Sequence, residues 1–409
     1  MQPVQPLPFP PLAARAAGLS ESEVRALFSV ASRPDVVSLA GGMPDVRILP
    51  AEHVAEIVAR VVRRELGRAL QYCGGAGLPE TREAAAELMA MEGIHADPGN
   101  VLITAGGQQA LDTVAKVFLD PGDRVVVEGP SYVGAISAFS AYEPRFLAVG
   151  MDDDGMIVED LAELFAGGVR PKFVYTVPSF SNPAGVTMSY TRRLRLISLC
   201  REHGVPIVED NPYGMLRFEG EPLPTLHSLD PENVVYIGSA SKVFAPGFRV
   251  GWTTARPGLF ERLLVAKEAE DLCSSAFGQL TVAAYVRSEH FAPNLAGYLA
   301  LYRERRDAML AALEAHFPEG ATWTRPRGGF YVWAGLPDGL DAKALLPEAV
   351  ERRVAYVPGT AFYPDGRGRD RMRLSFCYPT VGEIHEGVRR LGELLCEQTG
   401  EAASEAASA

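Results

Sequence analysis

One lysine in this sequence lies in a setting that favours chemistry at its amine. Lys242 follows two serines in the run SASK at 239–242, directly after the apolar, strand-like segment 233–239. Partial burial and a nearby cation lower the pKa of such a lysine, and its free amine can form a Schiff base with an aldehyde. The other four lysines are expected at the surface: Lys116, Lys172, Lys267 and Lys343.

The residues around Lys242 could hold a phosphate group. Ser239 and Ser241 offer hydroxyl donors, and Arg249 offers a guanidinium fork. An amine that attacks aldehydes, set beside phosphate-binding groups, indicates pyridoxal 5′-phosphate (PLP) as the cofactor. The pyridine nitrogen of PLP needs an acidic partner to stay protonated.

Two other strand-like segments end in candidate residues. Asp210 closes the segment 205–210 and could pair with the pyridine nitrogen, although one carboxylate at a strand end is more often a helix cap or a surface charge. Gly106, Gly107 and Gln108 follow another strand-like segment and open a helix. Small residues there let backbone N–H groups approach a phosphate, but they are equally common in ordinary tight turns.

These segments belong to a regular alternation of apolar runs and amphipathic helical segments. The runs rich in Val, Ile, Tyr and Phe lie at 100–107, 123–130, 172–178, 205–210, 233–239 and 249–255. The alternation predicts an α/β protein with a mostly parallel sheet, and ligands bind beyond the carboxyl ends of such strands. We expect an N-terminal arm joined to the small domain, a large cofactor-binding domain, a small α+β domain and a disordered tail, at 1–50, 51–288, 289–397 and 398–409.

Composition narrows the class of function. The 409 residues carry a net charge of −12, which opposes binding to nucleic acid or to an anionic membrane surface. Five scattered cysteines without CxxC spacing argue against a disulfide or zinc framework, and we interpret all five as small buried apolar residues. Neither a signal-peptide pattern nor a membrane-length apolar run is found. We expect a cytoplasmic protein without a metal site.

Six motifs, in order, give the chain a family resemblance. Over residues 20–397 it resembles the fold-type I, PLP-dependent class I aminotransferases, and in particular their kynurenine/2-aminoadipate branch. The motifs are SLAGGMP (38–44), EGPSYVGA (128–135), PSFSNPAG (178–185), VEDNPYG (208–214), SASKVFAPGFRVGW (239–252) and RLSF (373–376). The resemblance implies a large domain with a mostly parallel seven-stranded sheet, flanked by helices, and a smaller α+β domain.

The resemblance also implies a role for each cofactor-binding residue. Lys242 forms the internal aldimine and then moves the proton between the substrate Cα and the cofactor. Asp210 pairs with the pyridinium nitrogen, Tyr213 and Asn182 bond the phenolic oxygen, and Tyr132 stacks on the ring. The residues implied for the phosphate are Gly106, Gly107, Gln108, Ser239, Ser241 and Arg249.

For the substrate, the resemblance implies that Arg373 grips the α-carboxylate with help from Gly42 and Asn182. Tyr72 matches a tyrosine that reaches the phosphate of the neighbouring subunit, so a homodimer with shared sites is implied. Rival interpretations are a packed aromatic for Tyr132, a turn residue for Tyr213, and a solvated basic cluster with Arg367, Arg369 and Arg371 for Arg373.

Several positions depart from the pattern of the branch. Ala105-Gly106-Gly107 lacks two hydroxyls usual before the two glutamines, so the backbone must carry more of the phosphate binding. The segments 43–49 and 73–76 and Met215 also differ, and we expect these changes to alter the substrate pocket. Arg47 could contact a distal carboxylate of a dicarboxylic substrate or could equally face solvent.

The sequence thus predicts a transaminase that works in ping-pong half-reactions, from an α-amino acid to a 2-oxo acid such as 2-oxoglutarate. The alternative is a biosynthetic PLP enzyme that uses the same quinonoid for β- or γ-elimination, replacement or carbon–carbon bond formation. A transcription regulator with this fold as its effector domain is a hypothesis of another class. It is disfavoured because only a short segment precedes the matching region and the charge is acidic.

Overall fold

The computed structural model describes residues 13–17 and 33–408, so most of the predicted N-terminal arm lies outside the described residues. Between residues 101 and 254, most of the strands are separated by α-helices, as expected. The α-helices are α1 (Ala14–Ala17), α2 (Ala51–Ala69), α3 (Pro79–Ala90), α4 (Gly107–Phe118), α5 (Val133–Ser140), α6 (Val158–Ala166), α7 (Tyr190–His203), α8 (Leu226–Leu229), α9 (Pro257–Asp271), α10 (Ala276–Val286), α11 (Phe291–His316), α12 (Ala342–Glu351) and α13 (Val381–Ser408).

Eight of the described strands form one sheet, in the order β2-β9-β8-β7-β6-β3-β4-β5. Their bounds are β2 (Val101–Thr104), β3 (Arg124–Gly129), β4 (Arg145–Asp152), β5 (Gly155–Met156), β6 (Phe173–Thr176), β7 (Ile207–Asp210), β8 (Val234–Ser239) and β9 (Gly251–Thr254). The pairs from β8 through β4 are parallel, and β9 runs antiparallel to both its neighbours. The sheet has one strand more than predicted, because the two-residue β5 pairs with the edge strand β4.

Both faces of this sheet are buried, which explains why its strands are continuous apolar runs. Val125 and Val127 of β3 face the core that includes α4 and α5, whereas Val126 faces the core that includes α6 and α7. Because β2, β8, β7 and β6 run in the same direction, their carboxyl ends lie at one edge of the sheet. The α/β fold class is therefore confirmed.

The C-terminal part contains smaller sheets against long helices. Strands β10 (Thr322–Trp323), β11 (Tyr331–Gly335), β13 (Val357–Pro358) and β14 (Arg371–Ser375) form an antiparallel sheet in the order β10-β11-β14-β13. Strand β1 (Val37–Ser38) pairs in parallel with β12 (Val354–Ala355), which ties residues 37–38 to this part. The contact agrees with an arm that joins the small domain, and the domain boundaries stay a prediction.

Helix α13 differs from the expectation at the C-terminus. It begins at a capping box, in which the Thr380 N–H donates to the Glu383 carboxylate and the Glu383 N–H donates to the Thr380 hydroxyl. It then continues to Ser408, through the segment for which a disordered tail was predicted. That segment is rich in Ala and Glu, which have high helix propensity, so low complexity was a poor guide there.

Two further features bear on the expected class of protein. Within residues 13–17 and 33–408, no helix combines the length and the apolar character required to span a bilayer. All five cysteines are free, and they range from buried (Cys200, Cys377) through half-buried (Cys73, Cys273) to exposed (Cys396). The expectation that all five are buried apolar residues is therefore wrong for Cys396.

Candidate active site

A cavity of about 370 Å³ opens at the carboxyl edge of the large sheet. It is enclosed by the ends of β7 and β8, the start of α4, the turn before α5, and residues of β11 and β14. Of the residues predicted for the site, those that line it are Gly42, Gly107, Gln108, Tyr132, Asn182, Asp210, Tyr213, Ser239, Ser241, Lys242, Arg249 and Arg373. Long stretches of chain separate these residues, so the cavity exists only in the folded protein.

Lys242 lies just beyond β8, and its Nζ donates to the Gly42 carbonyl oxygen at 3.0 Å. Burial lowers the pKa of Lys242 to about 8, and the cations Arg373 and Arg249 lower it as well. An amine with that pKa is partly uncharged at neutral pH, as a nucleophile must be. Gly42 has no room for a side chain, because a Cβ there would collide with the Tyr331 hydroxyl.

Asp210 ends β7 with its carboxylate buried. Tyr175 of the neighbouring strand β6 donates its hydroxyl to Asp210 Oδ2 at 2.9 Å. Burial raises the pKa of Asp210 to about 7, whereas the Tyr175 hydrogen bond and the Lys242 charge lower it. The carboxylate is thus poised to ionise when a cation, such as a protonated ring nitrogen, is placed against it.

The groups predicted for a phosphate meet where α4 begins. Gly106 has φ of 81°, and a Cβ there would come within 2.5 Å of Arg249 Nη2, so glycine keeps the backbone close to the guanidinium. Arg249 has φ of 53° and donates to the Ala105 carbonyl oxygen at 3.0 Å. Ser239 Oγ donates to Ser241 Oγ at 2.9 Å, close to this turn. Gly106 shapes the turn and does not itself line the cavity.

Arg373 of β14 is buried, so the rival interpretation as part of a solvated basic cluster is wrong. It donates to Asn182 Oδ1 at 2.8 Å and to the Ala40 carbonyl oxygen at 2.6 Å. Its guanidinium carbon lies 4.3 Å from the centre of the Tyr331 ring, and its Nε is buried without a partner. An unpaired buried donor of this kind marks a place for an acceptor from a ligand.

Two tyrosines complete the walls around Lys242 and Asp210. Tyr213 is buried, with its hydroxyl 3.4 Å from that of Tyr331, and burial raises its pKa. The Tyr132 ring packs closely over Gly134, where a Cβ would collide with it, and burial raises its pKa to about 12. Both rings line the cavity, so neither is only a packed aromatic or a turn residue.

Three residues singled out in the sequence lie outside the cavity. Tyr72 is 77% exposed on the surface. Arg47 forms an ion pair with Asp45 at 2.7 Å, lies over the Tyr378 ring and is half exposed. Met215 borders a separate cavity. Met215 and the segments 46–49 and 73–76 do not line the cavity of their own chain, and of the residues 43–49 only Met43 does. Their expected effect on the substrate pocket stays a prediction.

The sequence did not identify every residue that contacts the site. Tyr175 and Tyr331 were missed, although the alternation along β6 already placed Phe173 and Tyr175 on one face of the strand. Lys267 was expected at the surface and is instead buried, where its Nζ donates to the Gly75 carbonyl oxygen at 3.0 Å and pairs with Asp271. No local pattern distinguished Lys267 from an exposed helical lysine.

Comparisons with known proteins agree with this geometry. A family model described as aminotransferase class I and II matches residues 34–391. The chain is 43% identical over 390 residues to aromatic-amino-acid aminotransferase 1 of Thermococcus litoralis, with 94% of each chain covered.

Two solved structures are similar over most of their length. The kynurenine aminotransferase of Pyrococcus horikoshii, in complex with PMP, KYN as substrates and KYA as products, has a TM-score of 0.90 at 41% identity, covering 95% of this chain and 97% of that chain. The α-aminoadipate aminotransferase LysN of Thermus thermophilus, complexed with N-(5'-phosphopyridoxyl)-L-leucine, has a TM-score of 0.89 at 39% identity, covering 95% and 98%.

Proposed function

This chain belongs to the class I and II aminotransferases, and from that premise we propose how its residues act and which 2-oxo acid it uses. It is a PLP-dependent transaminase that moves an amino group from an α-amino acid to a 2-oxo acid. Its relatives are named for amino transfer, which favours this outcome over elimination, replacement or carbon–carbon bond formation. We propose 2-oxoglutarate as the acceptor, because LysN is named for α-aminoadipate, another substrate with two carboxylates.

The donor set of the cavity fits the parts of PLP. Ser239, Ser241, Arg249 and the first N–H groups of α4 would hold the phosphate, around the cradle that a Cβ at Gly106 would fill. Asp210 would pair with the ring nitrogen. Lys242 offers the amine for the aldehyde, and the phenolic oxygen would be bonded by Tyr213 and Asn182. When bound, the cofactor supplies a cationic ring that withdraws electrons from the substrate Cα.

The protein's own residues carry the proton and orient the substrate. The Lys242 amine removes the proton from the substrate Cα, since burial and the nearby arginines keep its pKa about 8. The Tyr175 hydrogen bond favours the ionised form of Asp210, which would stabilise positive charge on the ring nitrogen placed against it. Tyr132 lines the cavity beside the start of α5, where its ring would stack on the cofactor ring and exclude water.

Arg373 would bind the substrate α-carboxylate. Its Nε has no partner, while Asn182 and the Ala40 carbonyl hold the rest of the guanidinium in place. A guanidinium fixed in this way can form two parallel hydrogen bonds to a carboxylate without reorganising. This contact would place the Cα proton of the substrate within reach of the Lys242 amine.

We also propose that two copies of the chain form a homodimer. Tyr72 is 77% exposed and does not line the cavity of its own chain, as expected for a residue that reaches the phosphate in a neighbouring subunit. A cytoplasmic location is proposed on the ground that all five cysteines are free. Sedimentation would test the dimer, and cell fractionation would test the location.

The convergence of the Lys242 amine, the Asp210 carboxylate and the Arg373 guanidinium on one cavity carries these assignments. The test is to mix purified holoenzyme with 2-oxoglutarate and with aromatic amino acids, kynurenine or 2-aminoadipate, and to measure glutamate. We expect glutamate with at least one donor. A cofactor absorbance change with the donor alone, without glutamate afterwards, would reject 2-oxoglutarate, and no change with any donor would reject the assigned roles.

Lysine variants provide the matched control. Lys242→Ala is expected to abolish glutamate formation and to prevent borohydride from fixing the cofactor to the protein. Lys172→Ala should retain both properties, because Lys172 is exposed and pairs with Asp123 at 3.2 Å, away from the cavity. Cofactor fixed at another lysine in the wild type would contradict the assignment of Lys242.

A further inference from the structure

A glutamate outside the active-site cavity bonds the two strands that lead to Asp210 and Lys242. Glu92 lies two residues beyond the end of α3. Its Oε1 accepts from the side-chain amide of Asn211 at 2.9 Å, and its Oε2 accepts from the Tyr236 hydroxyl at 2.9 Å. Asn211 directly follows Asp210 at the end of β7, and Tyr236 lies in β8, the strand before Lys242. One carboxylate thus connects both strands.

The segment 211–215 is a wall between two cavities. On one side, Pro212 and Tyr213 line the active-site cavity. On the other side, Gly214 and Met215 line a second cavity of about 370 Å³, which Glu92 also borders. Because the second cavity leaves part of the wall without close-packed side chains behind it, hydrogen bonds take a larger share in fixing its position.

Asn211 is held in this wall by a small number of contacts within the described residues. Its backbone N–H donates to the Ile237 carbonyl oxygen at 2.9 Å. Among the described residues its side-chain oxygen is buried without a partner, and its amide nitrogen donates to Glu92 and, at 3.4 Å, to Tyr236. A Cβ at Gly214 would collide with Glu92 Oε1, so glycine at this position makes room for the carboxylate.

The Glu92 carboxylate acts at a distance from any bound molecule. Both of its oxygens accept a hydrogen bond, as those of an ionised carboxylate do. Burial raises the pKa of Glu92 to about 7, and the hydrogen bonds from Tyr236 and Asn211 oppose that rise. Neither Glu92 nor Asn211 lines the active-site cavity, so an effect of Glu92 on the reaction must pass through the wall to Tyr213.

We propose that Glu92 is a positioning residue, which holds the wall so that the Tyr213 hydroxyl is fixed against the phenolic oxygen of PLP. The inference rests on the proposed function, in which Tyr213 bonds that oxygen. A protonated imine between Lys242 and PLP supplies a hydrogen bond of its own to the phenolic oxygen, whereas an unprotonated imine does not. The Tyr213 hydroxyl therefore stabilises the unprotonated form more and lowers the pKa of the imine.

The test measures the absorbance of the holoenzyme against pH without substrate, because the absorbance reports the pKa of this imine. Glu92→Ala removes the acceptor of two buried donors and frees the wall. We expect the imine pKa to rise by about one unit, as for the loss of one hydrogen bond to a charged group. The kcat should fall about tenfold. KM for the amino donor should change little, because the Arg373 contacts do not include the wall.

Two variants separate positioning from charge and from burial. Glu92→Gln keeps an oxygen for Tyr236, and its amide can donate to the free Asn211 oxygen once the Asn211 amide turns over, so the imine pKa should stay near that of the wild type. Asp230→Ala is the matched control. Asp230 is also buried and accepts two hydrogen bonds from Arg201, at 2.6 and 2.5 Å, but it does not line the cavity. Its titration should superimpose on that of the wild type.

Asn211→Ala breaks the same contact from the other side. If Glu92 acts through Asn211, then Asn211→Ala and the double variant should both show the imine pKa of Glu92→Ala. Circular dichroism would show which variants fold. If Glu92→Ala does not fold, Asn211→Ala provides the same measurement.

Three results would overturn the proposal. They are an unmoved imine pKa in folded Glu92→Ala or Asn211→Ala, a Glu92→Gln variant that behaves like Glu92→Ala, and single shifts that add in the double variant. None of these measurements depends on turnover. Wild-type protein that forms no imine at Lys242 would instead reject the proposed function, so the two failures are distinguishable.

Discussion

The hydrogen bond from Tyr175 to Asp210 allows a quantitative prediction, because its donor is a neutral hydroxyl and its acceptor is a buried carboxylate. The substitution Tyr175→Phe removes the hydroxyl that lies 2.9 Å from Asp210 Oδ2 and keeps the ring that packs against Phe139. A hydrogen bond to a charged group contributes about 1.5–3 kcal/mol. Since one pKa unit corresponds to about 1.4 kcal/mol, the pKa of Asp210 should rise by about one to two units.

The direction of the effect follows from which form of Asp210 is needed. Burial already raises the pKa of Asp210, and Tyr175 opposes that rise, so deleting the hydroxyl favours the protonated acid. The carboxylate is present above its pKa and lost below it. The acid limb of the kcat/KM profile should therefore move to higher pH by about one to two units. Because the pKa of Asp210 is about 7 before the change, kcat/KM at pH 7 should fall by about 5- to 50-fold.

The assay is a pH series of kcat/KM on PLP-saturated enzyme, compared with Tyr142→Phe as the matched control. Tyr142 also donates to an aspartate, with its hydroxyl 3.2 Å from Asp112 Oδ2, but it does not line the cavity. The control profile should superimpose on that of the wild type. An unmoved acid limb in Tyr175→Phe, or the same shift in both variants, would refute the reasoning about Asp210.

Three other changes probe the rest of the cavity. Gly106→Ala adds a Cβ beside Arg249 at a backbone angle that favours glycine. The Kd for PLP should therefore rise at least about tenfold. An unchanged Kd in a cofactor titration would count against the phosphate-binding role of this turn. Arg373→Lys keeps the positive charge but loses the planar guanidinium that can bind both carboxylate oxygens. KM for the amino donor should rise by about 10- to 100-fold, with little change in the affinity for PLP. Equal KM values in the variant and the wild type would reject Arg373 as the carboxylate site. The rate at which apoprotein combines with PLP should rise with pH and level off above about pH 8, the pKa of the Lys242 amine, because the uncharged amine then predominates. A rate that still rises at pH 10 would contradict the lowered pKa of Lys242.

The apolar runs along the chain predicted six of the eight strands of the large sheet and the polar residues at its carboxyl edge, and they missed the edge strands β4 and β5. Strands buried on both faces need continuous Val, Ile and Phe, and the polar residues at their ends then stand out against that pattern. Asp210 and Lys242 follow adjacent parallel strands, β7 and β8, so placing both at one edge required no knowledge of side-chain contacts. The resemblance of the motifs added Asn182, Tyr213 and Arg373 to the predicted site. None of these three residues stands out as a polar residue at the end of an apolar run.

Pairings between distant segments were decided only by the folded chain. Tyr175 lies in an ordinary buried strand, and it becomes the partner of Asp210 because β6 and β7 pair in one register. Arg47 follows a segment that borders the cavity, yet Asp45 holds it outside. Lys267 likewise acquired its buried setting from the packing of α9 against the connection that holds Gly75, 192 positions earlier in the chain.

The physical reason for this difference is that some features depend on residues close in the sequence, whereas others depend on atoms brought together from distant parts of the chain. Hydrophobic periodicity, glycine conformations and capping residues depend on near neighbours, so strands, helices and their ends can be recognised along the sequence. Burial, the pKa values of Lys242 and Asp210, and the unpaired Nε of Arg373 depend on atoms from several elements at once. Those quantities exist only after long-range packing has excluded water and fixed the distances between charges.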